Sequence, residues 1–582
     1  MLYFFVMNIK FLKRDKVINR MKQNHINYWA FALLILPVVL LLVSGLTWCI
    51  GASICSFTFP LALVFTLFMT NRIISKQKIQ YMSIAYCCVG IVVIGALCYF
   101  VHDPAFDSNW YHQPSIYLLS HGWNPIYDHH SARVINDTSH IWIDHYAKGQ
   151  ETICATIVAF TGNMEIGKLG NFFLPISSFF FSLVALEKMF VGWSKRKLWL
   201  VAFIVAFPPI IWNQLLSYYI DFNLYSIVVI ALCSMVLYKE DKVKFLLVFI
   251  CLLAIAVSVK FNMLLWFGLL YLGFMAYFWR QGLRSMVGYI FVYGIVGVIV
   301  SVLTFSFNPY ITNTVDHQTP FYPLMGGHSN VDIMSIVEPE SFKHYNSVEK
   351  ILVADFSRPT TGSQSQNYQF PYGGYPLKNL TACGSVDAKL GGAGLLWLDV
   401  LILAIILFVL SKAYKTRKGK WYIGLSIAFL ATQLLVPGGW FYRYVSYIYL
   451  VPLFLLFATE SSVVNRRMNI LKKGIYGLLL INSFVAMGAT LATTIVANQI
   501  EDYYVKCINN SDKSCYSSDL YGFVRKVEPA KRTLGLNKPS NTMEQIPLLP
   551  TRVRIYIDYS ALNRDVKTNF IQELLLKKGV LK

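Results

Sequence analysis

Long apolar runs alternate with short polar connections along most of this chain. That pattern predicts membrane-crossing helices and not strands. The windows Phe31–Ile50, Met82–Val101 and Met286–Phe305 each suffice to cross a hydrocarbon core of about 30 Å, which takes roughly 20 residues in a helix. They are continuously apolar, where a membrane β-barrel alternates apolar and polar positions, so a barrel is excluded. Threading the chain back and forth places spans near 31–50, 54–70, 81–101, 169–190, 198–213, 219–238, 244–259, 262–279, 286–306, 393–411, 421–437, 441–459 and 474–496. The fold class is an all-α integral membrane protein with about thirteen crossings. Two spans between Leu198 and Lys260 look short, as a broken or re-entrant helix does.

Composition agrees. Of 582 residues, 56% are hydrophobic and 14% charged, against about 25% charged in a soluble domain. The net charge of +21 does not mark a nucleic-acid binder, because the basic residues form no single patch. They recur between apolar runs, at Lys10–Lys22, Arg72–Lys78, Lys188–Lys197, Lys239–Lys244, Arg280–Arg284, Lys412–Lys420 and Arg466–Lys473. Such spacing predicts that every second connection is cytoplasmic. The N-terminus is then inside, the C-terminus outside, and 102–168, 307–392 and 498–582 are external. The first full span has no small-residue cleavage site after it, which predicts an uncleaved anchor.

The chain divides accordingly into an N-terminal segment with an added hairpin (1–80), a transmembrane module (81–306) containing the first external loop (102–168), a large external loop (307–392), C-terminal spans (393–497) and an external tail (498–582). In the tail, "TRVRIYIDYS" at 551–560 alternates as a half-buried strand does. "NFIQELLLKKG" at 569–579 reads as an amphipathic helix ended by Gly579, so a small α/β domain is expected. Cys507 and Cys515 sit eight positions apart in a polar external stretch, a spacing that suits a disulfide. No repeat and no Walker, zinc or Rossmann spacing is present.

The first external loop opens with "FDSNWYHQPSIYLLSHGWNPIYDHH" (106–130). Asp103 and Asp107 fall within two turns of the span ending near Val101. Acids there are either solvated loop residues or markers of a functional cavity. Asp107 and Tyr111 are four apart and share a helical face, next to His112. Pro114 allows a new helical start, Ile116–Leu119 suits a helix lying in the membrane interface, and "GWNP" at 122–125 ends it.

"D-x-x-x-Y-H-x-P" at Asp107–Pro114 resembles the first external loop of the GT-C superfamily of membrane glycosyltransferases, and the aminoarabinose and protein mannosyl transferases look most similar. Four later stretches fit in the same order. "SYYIDFNLY" at 217–225 looks like the family's acidic motif at an external helix end, and "SVKFNMLLW" at 258–266 like its lysine-bearing helix. "TPFYPLMG" at 319–326 is similar to its proline–aromatic loop, and "WFYRYVSYIYLVPL" at 440–453 resembles its arginine-bearing helix start. The match spans 102–455. Residues 29–72 depart from it as an added hairpin, and the tail matches nothing in the family.

The resemblance implies sugar transfer from a polyprenyl-phosphate donor, such as undecaprenyl phosphate, to a cell-surface glycan or glycolipid. The reaction would take place on the external or periplasmic face of the inner (plasma) membrane. The leaving group is already a phosphate, so the protein must supply cations for it and a base for the acceptor hydroxyl, a base being worth about 10² to 10⁴ in rate. Asp107 is the candidate base. Asp103, Tyr111, His112, Asp221, Lys260, Tyr322 and Arg443 are the candidate substrate-binding residues. Lys260 either holds the phosphate or snorkels to the interface, and Arg443 either holds it or anchors in an aromatic belt. Asp221 either orients the acceptor or pairs with Lys260. Trp110, Trp123, Trp142 and Tyr127 face a sugar or the headgroup layer. No cofactor is expected. A divalent ion serves some lipid-linked oligosaccharide transferases, but "DHH" at 128–130 and "IDH" at 143–145 give no helical ligand pair. A flippase or a polymerase of polyprenyl-linked glycans is the rival reading.

Overall fold

The computed structural model describes residues 12–74, 80–128, 139–238, 241–325, 337–359, 377–436, 438–460, 462, 465–512, 515–518, 520–528, 543–546 and 555–581. Helices α1 (Leu12–Cys49) and α2 (Thr58–Ile74) pack as a hairpin, and α3 (Tyr81–Tyr99) leads into the first polar stretch. That stretch holds α4 (Gln113–Ser120), α5 (His140–His145) and α6 (Gly149–Thr161). A 3-10 turn at Ile166–Phe172 opens α7 (Phe173–Met189), followed by α8 (Lys195–Ala206), α9 (Pro209–Leu215), α10 (Phe222–Tyr238), α11 (Lys242–Val259), α12 (Phe261–Arg280) and α13 (Arg284–Leu303). The second polar stretch carries α14 (Phe307–His317), α15 (Ser347–Asp355) and α16 (Leu377–Ala382). The helical body closes with α17 (Trp397–Leu410), α18 (Arg417–Thr432), α19 (Leu450–Thr459) and α20 (Arg466–Asn509).

Among the described residues, 7 helices are long and apolar enough to cross a membrane: α3, α11, α12, α13, α20 and the segments His25–Cys49 and Ile166–Met189. Four of the expected spans are shorter apolar helices, at Thr58–Ile74, Phe222–Tyr238, Trp397–Leu410 and Ser446–Thr459. The span expected near 198–213 is the bent pair α8–α9, angled by 65°. Pro208 and Pro209 explain the break, since each lacks an N–H and clashes with the turn before it. Spans α11 and α12 are joined by a single residue, Lys260, in extended backbone (φ −161°, ψ 141°). On α3 and α13, Val89, Val92, Leu97, Val292, Ile295 and Ile299 are exposed. Apolar faces of this extent need lipid around them.

The basic residues Arg72, Lys188, Lys195, Lys242, Arg280, Arg284, Lys412, Arg417 and Arg466 flank alternate connections between the helices. The acidic loop after α3, Asp221 ahead of α10, Lys260 after α11 and Arg443 ahead of α19 lie in the connections between those. Lys168, at the start of the α7 segment, bonds the carbonyl of Val101 just past α3, so the first polar stretch begins and returns at one end.

Three local expectations fail here. The helix expected along the membrane surface is α4, and it is buried: Ile116 and Leu119 are fully covered, packed against α6. Helix α20 does not stop at Ala497. It runs for 44 residues, about 66 Å at 1.5 Å per residue, roughly twice a hydrocarbon core. Its last turns supply Ile500, Tyr503, Tyr504, Cys507 and Ile508 to a second apolar core. Among the described residues of the tail are helices α21 (Tyr521–Val524) and α22 (Phe570–Lys577) and three strands, β1 (Tyr516–Ser518), β2 (Glu544–Gln545) and β3 (Ile555–Ile557). The sheet is antiparallel in the order β1-β3-β2, with Tyr516 opposite Ile557. Strand β3 lies inside the alternating stretch, and α22 begins on a capping box between Asn569 and Gln572. Cys507 and Cys515 are buried in this core as thiols and not as the disulfide their spacing suggested.

Candidate functional site

Arg443 lies where several of the polar connections meet. It does not begin a helix, as expected, but sits in a 3-10 turn at Tyr442–Tyr444, and the helical run resumes only at Ser446. Three carboxylates from three segments converge on its guanidinium. Nη1 lies 3.2 Å from Asp107 Oδ2 and 3.3 Å from Asp387 Oδ1, and Nε lies 3.7 Å from Asp221 Oδ2. Tyr219, Phe441 and Tyr444 surround its charge, with ring centroids 5.3, 4.7 and 5.4 Å from the guanidinium carbon. Arg443 is buried, whereas the Asp107 and Asp387 side chains keep 20% and 27% of their exposure. Those two acids are the open side of the cluster.

Asp221 is the closed side. Its Oδ1 pairs with Lys260 Nζ, and Gln214 Nε2 donates to its Oδ2 at 3.5 Å. Gln214 belongs to α9, so the proline break aims that amide at Asp221. Burial alone would raise the Asp221 pKa, but Lys260 and Arg443 outweigh it and hold the carboxyl below its usual value. The extended residue between α11 and α12 is Lys260 itself, and leaving the helix frees its chain to reach Asp221 beneath the Tyr444 ring, 4.6 Å away. Lys260 is therefore an ion-pair partner, not a snorkelling residue.

The sequence did not single out Asp387. It is held by a tight loop, "GSVDAKLGGAG" at 384–394, in which Gly391 and Gly394 adopt φ of +60° and +101°. A Cβ on Gly392 would fall 2.4 Å from the Tyr442 ring, so the loop seats directly on the arginine's own turn. Tyr219 Oη donates to Asp387 Oδ1 at 3.2 Å.

Asp107 enters at the start of a π-helical turn, Ser108–His112. The extra residue in such a turn is a common feature of functional sites. His112 does not meet Asp107: its Nδ1 lies 2.6 Å from Glu151 Oε1 on α6, both side chains buried. Glu151 escaped the sequence analysis because it sits in an apolar run too short to span. The Tyr111 ring is tilted against His112 and lies near Trp142, at centroid distances of 4.1 and 6.3 Å. Tyr322 stands apart, stacked on His317 at 3.7 Å and edge-on to His145, with no contact to the arginine cluster among the described residues. Of the expected aromatics, Trp110 packs on the tail, while Trp123 donates to the Asp128 carbonyl at 2.8 Å under the Lys148 cation. Tyr127 donates to Cys49 O at 2.9 Å.

Asp103 is structural. Its Oδ1 accepts from Ala105 N at 2.9 Å and its Oδ2 from Tyr218 N at 2.6 Å, tying the loop after α3 to the turn before α10. Burial raises its pKa to about 6, against the pull of Lys168 and the bond from Ala105. A carboxyl more basic folded than unfolded makes stability fall as pH rises from its ordinary 3.8 towards about 6. Asp103→Asn is expected to abolish that part of the stability–pH profile, read as the difference in melting midpoint from the unaltered protein between those two pH values.

Among the described residues no group of three or more His, Cys, Asp or Glu side chains is arranged to hold a metal ion; His129 and His130 lie outside them. An apolar cavity of about 530 Å³ is lined by α7, α10, α12, α18 and α19. Its wall includes Trp266, six positions after Lys260, and Tyr447, four after Arg443, together with Tyr277 and Phe457. Of the helices around it, α12 and the segment holding α7 are long and apolar enough to cross a membrane. No family model, no curated protein and no solved structure matches this chain.

Proposed function

We propose that this protein is a membrane glycosyltransferase of the GT-C type, with about thirteen crossings, acting on the external or periplasmic face of the inner membrane. It moves a sugar from a polyprenyl-phosphate donor to a cell-surface glycan or glycolipid. One observation carries the reading: the cations Lys260 and Arg443, set among carboxylates of which two are partly exposed, lie within a few residues along the chain of Trp266 and Tyr447 in the wall of an apolar cavity. A polyprenyl phosphate has parts to match each, an apolar tail, an anion and a sugar.

In the proposed step the donor phosphate takes up the Arg443 guanidinium, whose planar fork suits phosphate, and loosens its hold on Asp107. The acceptor oxygen attacks the anomeric carbon as the bond from that carbon to the phosphate oxygen breaks. The bonding pair leaves on the phosphate, where Arg443 and Lys260 meet the growing negative charge. Asp107 accepts the proton of the acceptor hydroxyl. A single displacement inverts the anomeric centre.

A flippase is the second reading, favoured by the bent helix pair α8–α9, since transporters build sites from broken helices. Mass spectrometry of the host's surface glycan, with and without this protein, separates them. Loss of one sugar per repeat supports the transferase, loss of polymer a polymerase, and trapped cytoplasmic-face intermediates a flippase.

A further inference from the structure

The turn that carries Asp107 has two faces. Asp107, Tyr111 and His112 look towards Arg443, Asp221 and Glu151. Phe106 and Trp110, also four apart, pack against the apolar core of the C-terminal tail. The tail reaches this second face by several independent contacts. Gly522, in α21, lies so close to the turn that a Cβ there would fall 1.5 Å from Asn109 Oδ1 and 3.0 Å from Gln113 Oε1. Arg525, one turn on, donates through Nε to Gln113 Oε1 at 3.2 Å, and its Nη2 pairs with Glu165.

Glu165 in turn pairs with Lys168, which bonds the Val101 carbonyl. Despite its burial, the surrounding Lys168, His102 and Arg525 hold the Glu165 carboxyl well below the usual carboxylate range. On the same side, Asn498 of α20 bonds both backbone groups of His102, donating to its carbonyl and accepting from its N–H at 2.9 and 2.8 Å. Within the turn, Asn109 Nδ2 donates to the carbonyls of Asp103 and Ala105. The side chain against Gly522 is thus the one that holds the turn's own backbone.

We propose that the C-terminal tail is a clamp that sets the direction of Asp107, with Gly522 and Arg525 as its positioning residues. A displacement of about 1 Å at a reacting group costs up to a hundredfold in rate, so a π-helical turn carrying the base needs support from outside its own segment. Only the kinetic part of this proposal rests on Asp107 acting as the base; the docking itself does not.

The test uses the full-length protein in lipid nanodiscs and reads amide hydrogen exchange first. Gly522→Ala is expected to speed exchange across 105–113 by about tenfold or more, as a local opening does, with α10–α13 unchanged. Because the clash is with Asn109 Oδ1, Gly522→Ala in an Asn109→Ala background should add nothing further, the mark of two residues acting at one contact. Arg525→Gln, which leaves the tail core whole, should also speed exchange at 109–113, and Arg525→Lys should restore part of the protection. Exchange over 105–113 that is unaltered in both Gly522→Ala and Arg525→Gln overturns the clamp. With sugar transfer as the second readout, both variants should lower kcat by roughly tenfold to a hundredfold while donor Kd stays within about threefold, since the cations are untouched. An unaltered protein that transfers no sugar from any polyprenyl-phosphate donor removes the proposed activity and leaves the exchange result standing.

Discussion

Replacing Arg443 by methionine is expected to cost about 3 to 5 kcal/mol of stability, the range for removing one partner of a buried ion pair. Asp221 would keep Lys260, but Asp107 and Asp387 would face it and each other without a cation. Their partial exposure admits water and places the loss at the lower end of that range. The pH dependence gives a sharper sign. In the unaltered protein the Asp221 pKa is held below its usual 3.8, so its contribution is present above that value and lost as pH falls through the lower, folded value. In Arg443→Met the Asp221 carboxyl loses one of the two cations that hold it down, so its folded value rises and less stability is lost on acidification. Thermal unfolding at stepped pH reads both slopes, and an Arg443→Met profile parallel to the unaltered one would show that Asp221 does not depend on this arginine. Arg443→Lys keeps the charge without the planar fork, so it should recover stability better than donor binding.

Much of this arrangement was legible before any coordinates. Hydropathy located the apolar runs because a membrane core demands them wherever the chain crosses. The spacing of Asp107 and Tyr111, the isolated Lys260 and the aromatic-flanked Arg443 marked three of the segments that meet. What the sequence lacked was the meeting itself. Asp221 and Lys260 are 39 positions apart and Arg443 and Asp107 are 336 apart, and no local pattern encodes such pairs. Asp387 went unnoticed because a loop has no periodicity to flag its acids, although the glycines of "KLGGAG" signal a backbone packed against something. Glu151 was hidden by the opposite effect: the run "TICATIVAF" after it looks like core, and the pairing that allows a buried acid, His112, lies 39 residues upstream. The end of α20 was misplaced because falling hydropathy after Ala497 signals leaving the membrane, not leaving the helix. Ile500, Tyr503, Tyr504 and Cys507 keep helical spacing, and a second core receives them. The sequence set Asp107 apart from Asp103 by the motif that Asp107 opens, and in the fold backbone donors occupy Asp103 and leave Asp107 open.

That difference makes Asp107→Asn the most informative substitution at the site. The amide keeps the size of the carboxylate and can still accept from Arg443, so the cluster loses one charge but little shape. It has no oxygen basic enough to take a proton from an attacking hydroxyl. If Asp107 is the base, transfer should fall by at least about a hundredfold, the lower end for lost general-base catalysis. Donor binding should stay near that of the unaltered protein or tighten, because removing one carboxylate leaves Arg443 freer to meet a phosphate. The companion substitutions sort the alternatives. Asp387→Asn takes a charge from the same guidinium nitrogen, at 3.3 Å against 3.2 Å, so a loss that came only from altered electrostatics would appear equally in both. Asp103→Asn alters a buried carboxylate that accepts from the backbone of Ala105 and Tyr218 and should change stability more than rate. The measurement is single-turnover transfer from a purified polyprenyl-phosphate sugar, with donor Kd determined alongside. Transfer by Asp107→Asn at the unaltered rate would remove Asp107 from the chemistry. Equal losses in Asp107→Asn and Asp387→Asn would assign both acids to holding Arg443, and the proton would then have to leave by water.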